Sequence, residues 1–401
     1  MPTSIYLDHA ATTPVAPEVI EAMLPYLQEI WGNPSSMHSF GRQAYEGVEA
    51  GRAEMAKLLN CKPQEIYFTS GGSEADNLAI FGTAYARADK GKHMITSSIE
   101  HHAVSHTMEE LQKRGWEITY LPVNAAGLVD PEAVRAAIRP DTVLVSIMHA
   151  NNEVGTVQPI AEIGAICRAA KVWFHTDAVQ SVGHIPIDVE VLNVDMLSLS
   201  GHKFYGPKGV GALYIRRGVR IKPQIFGGGH ERGMRSGTEN VPGIAGMGRA
   251  AELALAEMDA EATRQAAMRD RLLDGLTTAI PDSFASGDRT SRLPNNASII
   301  VKYVEGEAML LRLDAVGIAV SSGSACTSGS LDPSHVLLAM GIPVEFAHGS
   351  IRFSLGRGTT EADIDYVLEK MPPIIATLRA MSPFKPGVDI NAMCCPGGNC
   401  H

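Results

Sequence analysis

The sequence predicts an α/β protein built on buried parallel strands. Segments with apolar residues at helical spacing alternate along the chain with short apolar runs. The short runs are rich in β-branched residues and are bounded by Gly, Asp, Asn or Lys, as buried parallel strands are. The chain has 401 residues, 45% of them hydrophobic, and is too long for one simple core. We therefore expect a large domain and a smaller one.

The predicted helices and strands follow one another along the chain. Helical spacing of apolar residues predicts helices at residues 17–31, 161–171 and 243–258, and the charged segment 251–276 leads into the second domain. Short apolar runs predict parallel strands at residues 92–98, 141–151, 171–179, 194–203 and 209–217, and a strand of the second domain at 295–304. Ligands of such sheets bind at the carboxyl ends of the strands, where polar residues follow most of these runs.

Composition and charge exclude several classes of protein. The formal net charge of −10, from 34 basic against 44 acidic residues, argues against a nucleic-acid or anionic-membrane surface. The first residues lack the basic start and apolar core of a signal peptide, and no run stays apolar for about 18 residues. Six cysteines are too few and too unevenly spaced for a disulfide framework. We therefore expect a cytoplasmic protein with reduced thiols.

A lysine and a carboxylate follow two of the predicted strands. Lys203 lies between an apolar run and a glycine-rich turn, a position that suggests a Schiff base. A lone lysine would more often extend its ammonium group into solvent. Asp177 ends another apolar run, with Gln180 close behind it. A carboxylate there either keeps a ring nitrogen protonated or caps the strand.

Three further groups follow predicted strands. Residues 71–73, Gly-Gly-Ser before a helix, offer N–H groups to an anion or form an ordinary turn and N-cap. Either His101 or His102 can stack on a flat ring, although most histidines serve no such role. Asn151 and Asn152 are amides at another strand end, where turn chemistry is the alternative. A lysine imine, an acid for a pyridine nitrogen, an anion cradle and a flat imidazole together predict pyridoxal phosphate as the cofactor.

Ten segments of the sequence match one enzyme family almost residue for residue. They are YLDHAATTP, GNPSSMHSFG, FTSGGSEADNLAI, EHHAV, HANNEVGT, HTDAVQSVG, SGHKFYGPKGVGALY, GGGHERGMRSGTEN, SSGSACTSGSLDPSHV and HGSIRFSLGR. On these segments the chain resembles the pyridoxal-phosphate-dependent cysteine desulfurases of iron–sulfur cluster assembly, in particular the nitrogen-fixation branch and the class with a longer cysteine loop. The resemblance covers roughly residues 4 to 384.

The resemblance implies a fold, an assembly and a reaction. The fold is type I of the pyridoxal-phosphate enzymes, the aspartate aminotransferase type, with a mostly parallel sheet in the large domain and a smaller α+β domain. The implied assembly is a homodimer. The implied large cofactor domain spans residues 14–260, and the small domain spans 1–13 and 261–384 and carries the cysteine loop, with a tail at 385–401. L-cysteine is the implied substrate, and an iron–sulfur scaffold protein is the implied acceptor of its sulfur.

The resemblance also implies roles for the residues around the cofactor. Lys203 would form the Schiff base, Asp177 would pair with the ring nitrogen and His101 would stack on the ring. Gln180 would meet the phenolic oxygen and Asn152 would lie beside the ring. The implied phosphate ligands are Gly72, Ser73, Ser200 and His202, with Thr238 contributed by the other subunit.

Three residues would bind the substrate and one would take its sulfur. Arg352 would bind the substrate carboxylate with its two-pronged guanidinium, assisted by Asn33, and Asn152 would also contact the substrate. Cys326 lies in SSGSACTSGS, residues 321–330, where no large side chain packs it into a core. Its thiolate would attack the sulfur of the bound substrate, leaving alanine and a persulfide. A loop of such small residues is flexible enough to carry the sulfur onward, and the persulfide makes Cys326 a candidate cluster ligand.

Two alternatives to a desulfurase remain open. A selenocysteine lyase or an aminotransferase would keep Lys203 and Asp177, but Cys326 argues against simple transamination because that reaction needs no thiol on a loop. From another class, the chain could be a thiol-based metal or sulfur carrier with an inactive enzyme-like body. The carrier would be colourless, whereas a lysine-bound cofactor is yellow.

The C-terminal segment SPFKPGVDINAMCCPGGNCH, residues 382–401, holds half of the cysteines. Cys394, Cys395, Cys400 and His401 surround a Pro-Gly-Gly turn and could hold zinc or ferrous iron or part of a nascent cluster. Adjacent cysteines chelate with poor geometry, and the spacing is not that of a standard zinc module. An inert tail and a tail that receives sulfur from Cys326 or binds metal therefore both stay open.

Overall fold

The computed structural model describes residues 4–322 and 333–382. Its α-helices are α1 Pro17–Gln28, α2 Ser39–Leu58, α3 Gly72–Arg87, α4 His102–Lys113, α5 Pro131–Ala137, α6 Ile160–Ala170, α7 Val241–Ala279, α8 Gly306–Asp314, α9 His335–Ala339, α10 Val344–Ala347 and α11 Glu361–Met381. Its strands are β1 Ile5–Tyr6, β2 Ile66–Thr69, β3 His93–Ser97, β4 Glu117–Leu121, β5 Thr142–Ser146, β6 Trp173–Asp177, β7 Met196–Ser200, β8 Gly211–Ile215, β9 Ser283–Ala285, β10 Asn296–Val301, β11 Ile318–Ala319 and β12 Ser350–Ser354.

A seven-stranded sheet carries the larger part of the core. Its strand order is β2-β8-β7-β6-β5-β3-β4, and the five strands from β7 to β4 run parallel. Every residue of β3, β5 and β7 is buried, because helices such as α3 and α6 pack on the sheet. The parallel α/β architecture predicted from the alternating patterns is confirmed.

One predicted parallel strand is antiparallel. The run 209–217 forms β8, which pairs antiparallel with both β7 and β2. Residues 201–210 connect β7 to β8 and are too few for the crossover helix that a parallel pair needs. The sequence of β8 is apolar because the strand is buried inside the sheet, and burial does not depend on strand direction.

A second core lies around two smaller sheets. The three-stranded antiparallel sheet has the order β12-β10-β9, and β1 pairs parallel with β11. Leu7 from the start of the chain packs in this core with Phe353 of β12 and Val367 of α11. The long helix α7 serves both cores, since Met247 lies in the first and Leu272 in the second. The residue boundaries of two domains stay a prediction.

Within the described ranges, no helix combines the length and the apolar composition that crossing a membrane would require.

Candidate active site

A cavity of about 300 Å³ opens at the carboxyl ends of β3, β5, β6 and β7; we call it the site cavity. Its lining includes ten residues that were predicted from the sequence: Gly72, Ser73, His101, Asn152, Asp177, Gln180, Ser200, His202, Lys203 and Arg352. These residues come from segments almost 300 positions apart, and the fold brings them together as the strand-end argument expects.

Lys203 follows β7 in a short 3₁₀ turn, Gly201–Lys203. Its Nζ donates hydrogen bonds to the carbonyl oxygens of Ala10 and Ala11, at 2.6 and 2.8 Å. Gln180 donates from Nε2 to the same Ala10 oxygen, at 2.9 Å. The N-terminal segment therefore holds two of the predicted site side chains through its backbone.

Asp177 is the last residue of β6 and is buried. Burial raises the pKa of its carboxyl group to about 6, against the lowering effects of the Val179 N–H and of Lys203. The Val179 N–H donates to Oδ1 at 2.9 Å. A cationic N–H donor in the cavity would stabilise the ionised form of this carboxyl group.

Two further buried carboxyl groups lie near Asp177 and were missed from the sequence. Burial, followed by the charge of Asp177, raises the pKa of Asp76 well above its usual value. Burial raises the pKa of Glu100 to about 8, although its Oε1 accepts hydrogen bonds from Ser97 Oγ at 2.5 Å and Met148 N at 3.1 Å. We call Asp76, Glu100 and Asp177 the acid group; no run of charges marks it, because its members are far apart in sequence.

His175 of β6 approaches the acid group as a neutral ring. Its Nε2 lies 3.6 Å from Asp76 Oδ1. Burial lowers the pKa of His175 to about 3, while that of Asp76 is raised. The imidazole nitrogens instead contact the hydroxyl groups of Ser146 and Ser198, at 2.8 and 2.9 Å. Because the imidazole is neutral, its contact with Asp76 is not an ion pair.

His101 caps the N-terminus of α4, where its Nδ1 accepts a hydrogen bond from Ala103 N at 3.1 Å. Burial, followed by the charge of Lys203, lowers the pKa of His101 to about 4. The ring is therefore neutral at physiological pH. Because the capping bond fixes its orientation, His101 presents a rigid, uncharged aromatic surface to the cavity.

The N-terminus of α3 lies at one end of the site cavity, where its chemistry suits an anion. Gly72 begins the helix, and a side chain there would have its Cβ 2.6 Å from Val179 Cγ2. The first N–H groups of a helix have no partner within it and attract anions. Ser200, His202 and Lys208 line the adjoining space of about 330 Å³, beside the same turn.

Arg352 lies on β12 and is almost fully buried. One terminal nitrogen, NH1, donates to the backbone oxygen of Asn152 at 2.8 Å, and NH2 pairs with Asp8 Oδ1 at 2.8 Å. The Nε atom is buried and has no hydrogen-bond partner. A buried donor without a partner is costly, so this edge of the guanidinium is suited to an anionic ligand.

Two predicted residues in the described part of the chain do not line the site cavity. Asn33 is exposed, and its Oδ1 accepts a hydrogen bond from Ser35 N at 2.9 Å. Thr238 is also exposed. Cys326, Cys394, Cys395 and Cys400 lie outside the described residues. Within residues 4–322 and 333–382, no group of three or more His, Cys, Asp or Glu side chains is arranged to hold a metal ion.

The family model for class-V aminotransferases matches residues 5–367. The chain belongs to this family. Its members are pyridoxal-phosphate enzymes. The "Cysteine desulfurase IscS" of Dictyoglomus turgidum is 54% identical over 391 residues, which cover 98% of this chain and 99% of that protein. Near-complete coverage at this identity places the chain among the cysteine desulfurases.

Solved structures agree with this placement. One described as a NifS-like protein superposes with a TM-score of 0.89 at 40% identity and covers 94% of this chain and 100% of its own. Another, described as SspA in complex with cysteine, has a TM-score of 0.79 at 40% identity and covers 88% of this chain and 99% of its own. The family and the fold predicted from the ten segments are confirmed.

Proposed function

We propose that the protein is a pyridoxal-phosphate-dependent cysteine desulfurase that converts L-cysteine to L-alanine and passes the sulfur to Cys326 as a persulfide. The observation that carries the proposal is the site cavity, where Lys203, Asp177 and Arg352 meet. An amine for an aldehyde, a carboxylate for a ring nitrogen and a guanidinium for a carboxylate are what such a reaction needs in one place.

The lining residues fit pyridoxal phosphate. Asp177 would hold the ring nitrogen protonated, His101 would lie against the ring, and the start of α3 with Ser200 and His202 would hold the phosphate. Lys203 would bind the aldehyde. When bound, the cofactor supplies an electron sink for charge that develops on the substrate's carbon skeleton.

The protein's own groups bind the substrate and move its protons. Arg352 would pair with the α-carboxylate through the donors left over from Asn152 and Asp8. The Lys203 amine, held near the backbone oxygens of Ala10 and Ala11, would take and return protons at the substrate's carbons.

Cys326 would take the sulfur. Its thiolate attacks the sulfur of the bound L-cysteine, an S–S bond forms, and the C–S bond breaks with its electron pair left on carbon, which is protonated to give alanine. The two cysteines of the described part are unsuited to this step, because burial raises the pKa of both Cys61 and Cys167 to about 12. Neither lines the site cavity.

The proposal extends to a cytoplasmic homodimer that gives sulfur to an iron–sulfur scaffold protein. Trp31, Met37 and Phe226 are largely exposed, at 69, 90 and 81%. Their two segments adjoin, since Ser35 Oγ lies 3.4 Å from His230 Nδ1. An exposed apolar surface of this kind supports contact with a second copy, which would bring Thr238 to the phosphate of the other subunit.

Absorption spectroscopy tests the proposal. The purified protein should be yellow, its spectrum should change when L-cysteine is added, and alanine should form in step with persulfide. Lys203→Ala should lose the yellow absorbance and alanine formation while staying folded, and Cys326→Ser should keep the spectral response but lose persulfide. Lys57→Ala, which removes an exposed lysine paired with Glu54 on α2, is the matched control. A colourless wild-type protein, or full turnover by Lys203→Ala, would refute the assignment.

A further inference from the structure

The carboxylate of Asp8 contacts the guanidinium of Arg352, a residue that lines the site cavity. Asp8 Oδ1 lies 2.8 Å from NH2, and the two side chains are 21% and 4% exposed. Asp8 lies 344 positions from Arg352, in the segment YLDHAATTP, for which the family resemblance implied no role of its own. The contact is between a partly open carboxylate and a buried cation.

The backbone around Asp8 is held firmly against β12. Ser354 N donates to Leu7 O at 2.7 Å, and Ala10 N donates to Ser354 Oγ at 2.9 Å. On the other side, Tyr6 donates from its hydroxyl group to the backbone oxygen of Asp8 at 3.0 Å. We call residues 7–11 the N-terminal strap. Because the strap is bonded on both sides of Asp8, its carboxylate is a fixed partner rather than a mobile surface charge.

The strap leaves a defined part of the guanidinium free. Of the five N–H donors of an arginine, one on NH1 goes to Asn152 O and one on NH2 goes to Asp8. Nε is buried without a partner. Two separate contacts at the terminal nitrogens fix both the position and the rotation of the planar group, which a single contact would not do.

We propose that Asp8 is a positioning residue for the substrate: its carboxylate holds the Arg352 guanidinium so that the remaining donors, Nε among them, meet the α-carboxylate of L-cysteine. This inference rests on the proposed function. Asp8 also supplies the negative charge that a buried arginine needs before substrate arrives, since a guanidinium cannot lose its proton. Its role is thus to keep the clamp assembled rather than to touch the substrate.

Steady-state kinetics of the holoenzyme with L-cysteine test this role. Asp8→Ala should raise KM about tenfold and leave kcat within about twofold, because uniform substrate binding is lost. Asp8→Asn keeps an acceptor oxygen for NH2 and should give an intermediate KM. Cysteamine, which is L-cysteine without its carboxylate, should inhibit wild type and Asp8→Ala equally. Glu257→Gln is the matched control. It removes an ion pair of 2.8 Å between the partly exposed side chains of Glu257 and Arg357, and Arg357 lies in the turn after β12.

The outcomes separate this inference from the proposed function. Asp8 does not position the Arg352 guanidinium if Asp8→Ala leaves KM for L-cysteine unchanged or lowers it. The same follows if Asp8→Ala weakens the inhibition by cysteamine as much as the binding of L-cysteine. Arg352→Ala is measured beside it: a raised KM there with an unchanged KM in Asp8→Ala overturns the inference alone. An unchanged KM in Arg352→Ala removes the carboxylate role of Arg352, and the inference with it. Should Asp8→Ala fail to fold, Asp8→Asn carries the same comparison with a smaller shift.

Discussion

The site cavity has two sides that hold charged groups in different ways. On the side of the seven-stranded sheet, the acid group of Asp76, Glu100 and Asp177 is buried, and burial raises the pKa of each member. On the side of the N-terminal strap and β12, Asp8 and Arg352 form an ion pair. On the first side, burial favours the protonated form of the carboxyl groups, and on the second side the charge of Arg352 is balanced by a partner.

The difference follows from the chemistry of the side chains. A buried carboxylate can be neutralised by a proton, so three acids can share one region at a tolerable cost. An arginine keeps its charge at any physiological pH, so burial of Arg352 requires a counter-charge. The sheet side is thus suited to setting the electronic state of a ring, and the strap side to binding an anion. The predictions below test this division.

The largest effect is expected from Asp177→Asn on the sheet side. The amide keeps the shape but cannot stabilise a protonated ring nitrogen, so kcat should fall by on the order of a hundredfold to a thousandfold. The KM for L-cysteine should change little, because Arg352 is untouched. Asp130→Asn is the control, since Asp130 caps α5 and asparagine caps a helix equally well. A KM effect larger than the kcat effect would contradict the division between the two sides.

Arg352→Lys should produce the opposite pattern on the strap side. Lysine keeps the positive charge near Asp8 but loses the planar fork, so KM for L-cysteine should rise about tenfold with kcat nearly unchanged. The spectrum of the bound cofactor should stay that of the wild type. Steady-state kinetics and absorbance measure the two quantities. A changed spectrum would mean that the two sides are not independent.

A smaller effect is expected from Glu100, on the stability of the fold between pH 7 and 8, measured by thermal unfolding. Its pKa is raised to about 8 in the folded state, so the fold holds a proton there that the unfolded chain releases. Stability therefore falls as pH rises towards 8, by at most about 1.4 kcal/mol per pH unit, and levels off above it. Glu153, with its pKa raised to about 7, acts in the same direction but lower in pH.

Glu100→Gln should flatten this decline, because glutamine keeps the acceptor for Ser97 and Met148 and has no proton to lose. His101 and His149, whose pKa values are lowered to about 4, cost stability only as pH falls below their ordinary range and leave this window unaffected. Glu132→Gln on α5 is the control. An equal slope in wild type and Glu100→Gln would show that Glu100 does not hold its proton in this pH range.

The sequence predicted the sheet and the polar residues at its strand ends because both depend on local patterns. Lys203 and Asp177 follow apolar runs directly, and parallel strands bring such positions together. The predicted parallel direction of β8 was wrong, because a buried strand has the same apolar pattern whether it runs parallel or antiparallel to its neighbours. Strands β1 and β11 have only two residues each, which is too short for a detectable alternation of apolar and polar residues.

Residues that act through distant partners escaped prediction. Asp8 becomes informative only when β12 places Arg352 beside it, 344 positions away. Asp76 lies within α3, of which only the N-terminal residues were predicted to bind a ligand. Glu100 precedes His101 and His102, and only these histidines were predicted as ring contacts. In each case, the deciding fact is burial or a long-range contact, which neither periodicity nor motif spacing contains.

The smallest effect on catalysis is expected from truncation after Met393, which removes Cys394, Cys395, Cys400 and His401. The lining of the site cavity ends with Arg352 in the described part of the chain, so KM and kcat for alanine formation should match those of the full chain. The two interpretations of the tail differ elsewhere. If the tail binds metal or receives sulfur from Cys326, the truncated protein should lose co-purified zinc or iron, or should support slower cluster assembly on a scaffold. If the tail is inert, truncation should change neither quantity. A fall in kcat after truncation would instead extend the catalytic machinery to the tail, beyond the two sides described above.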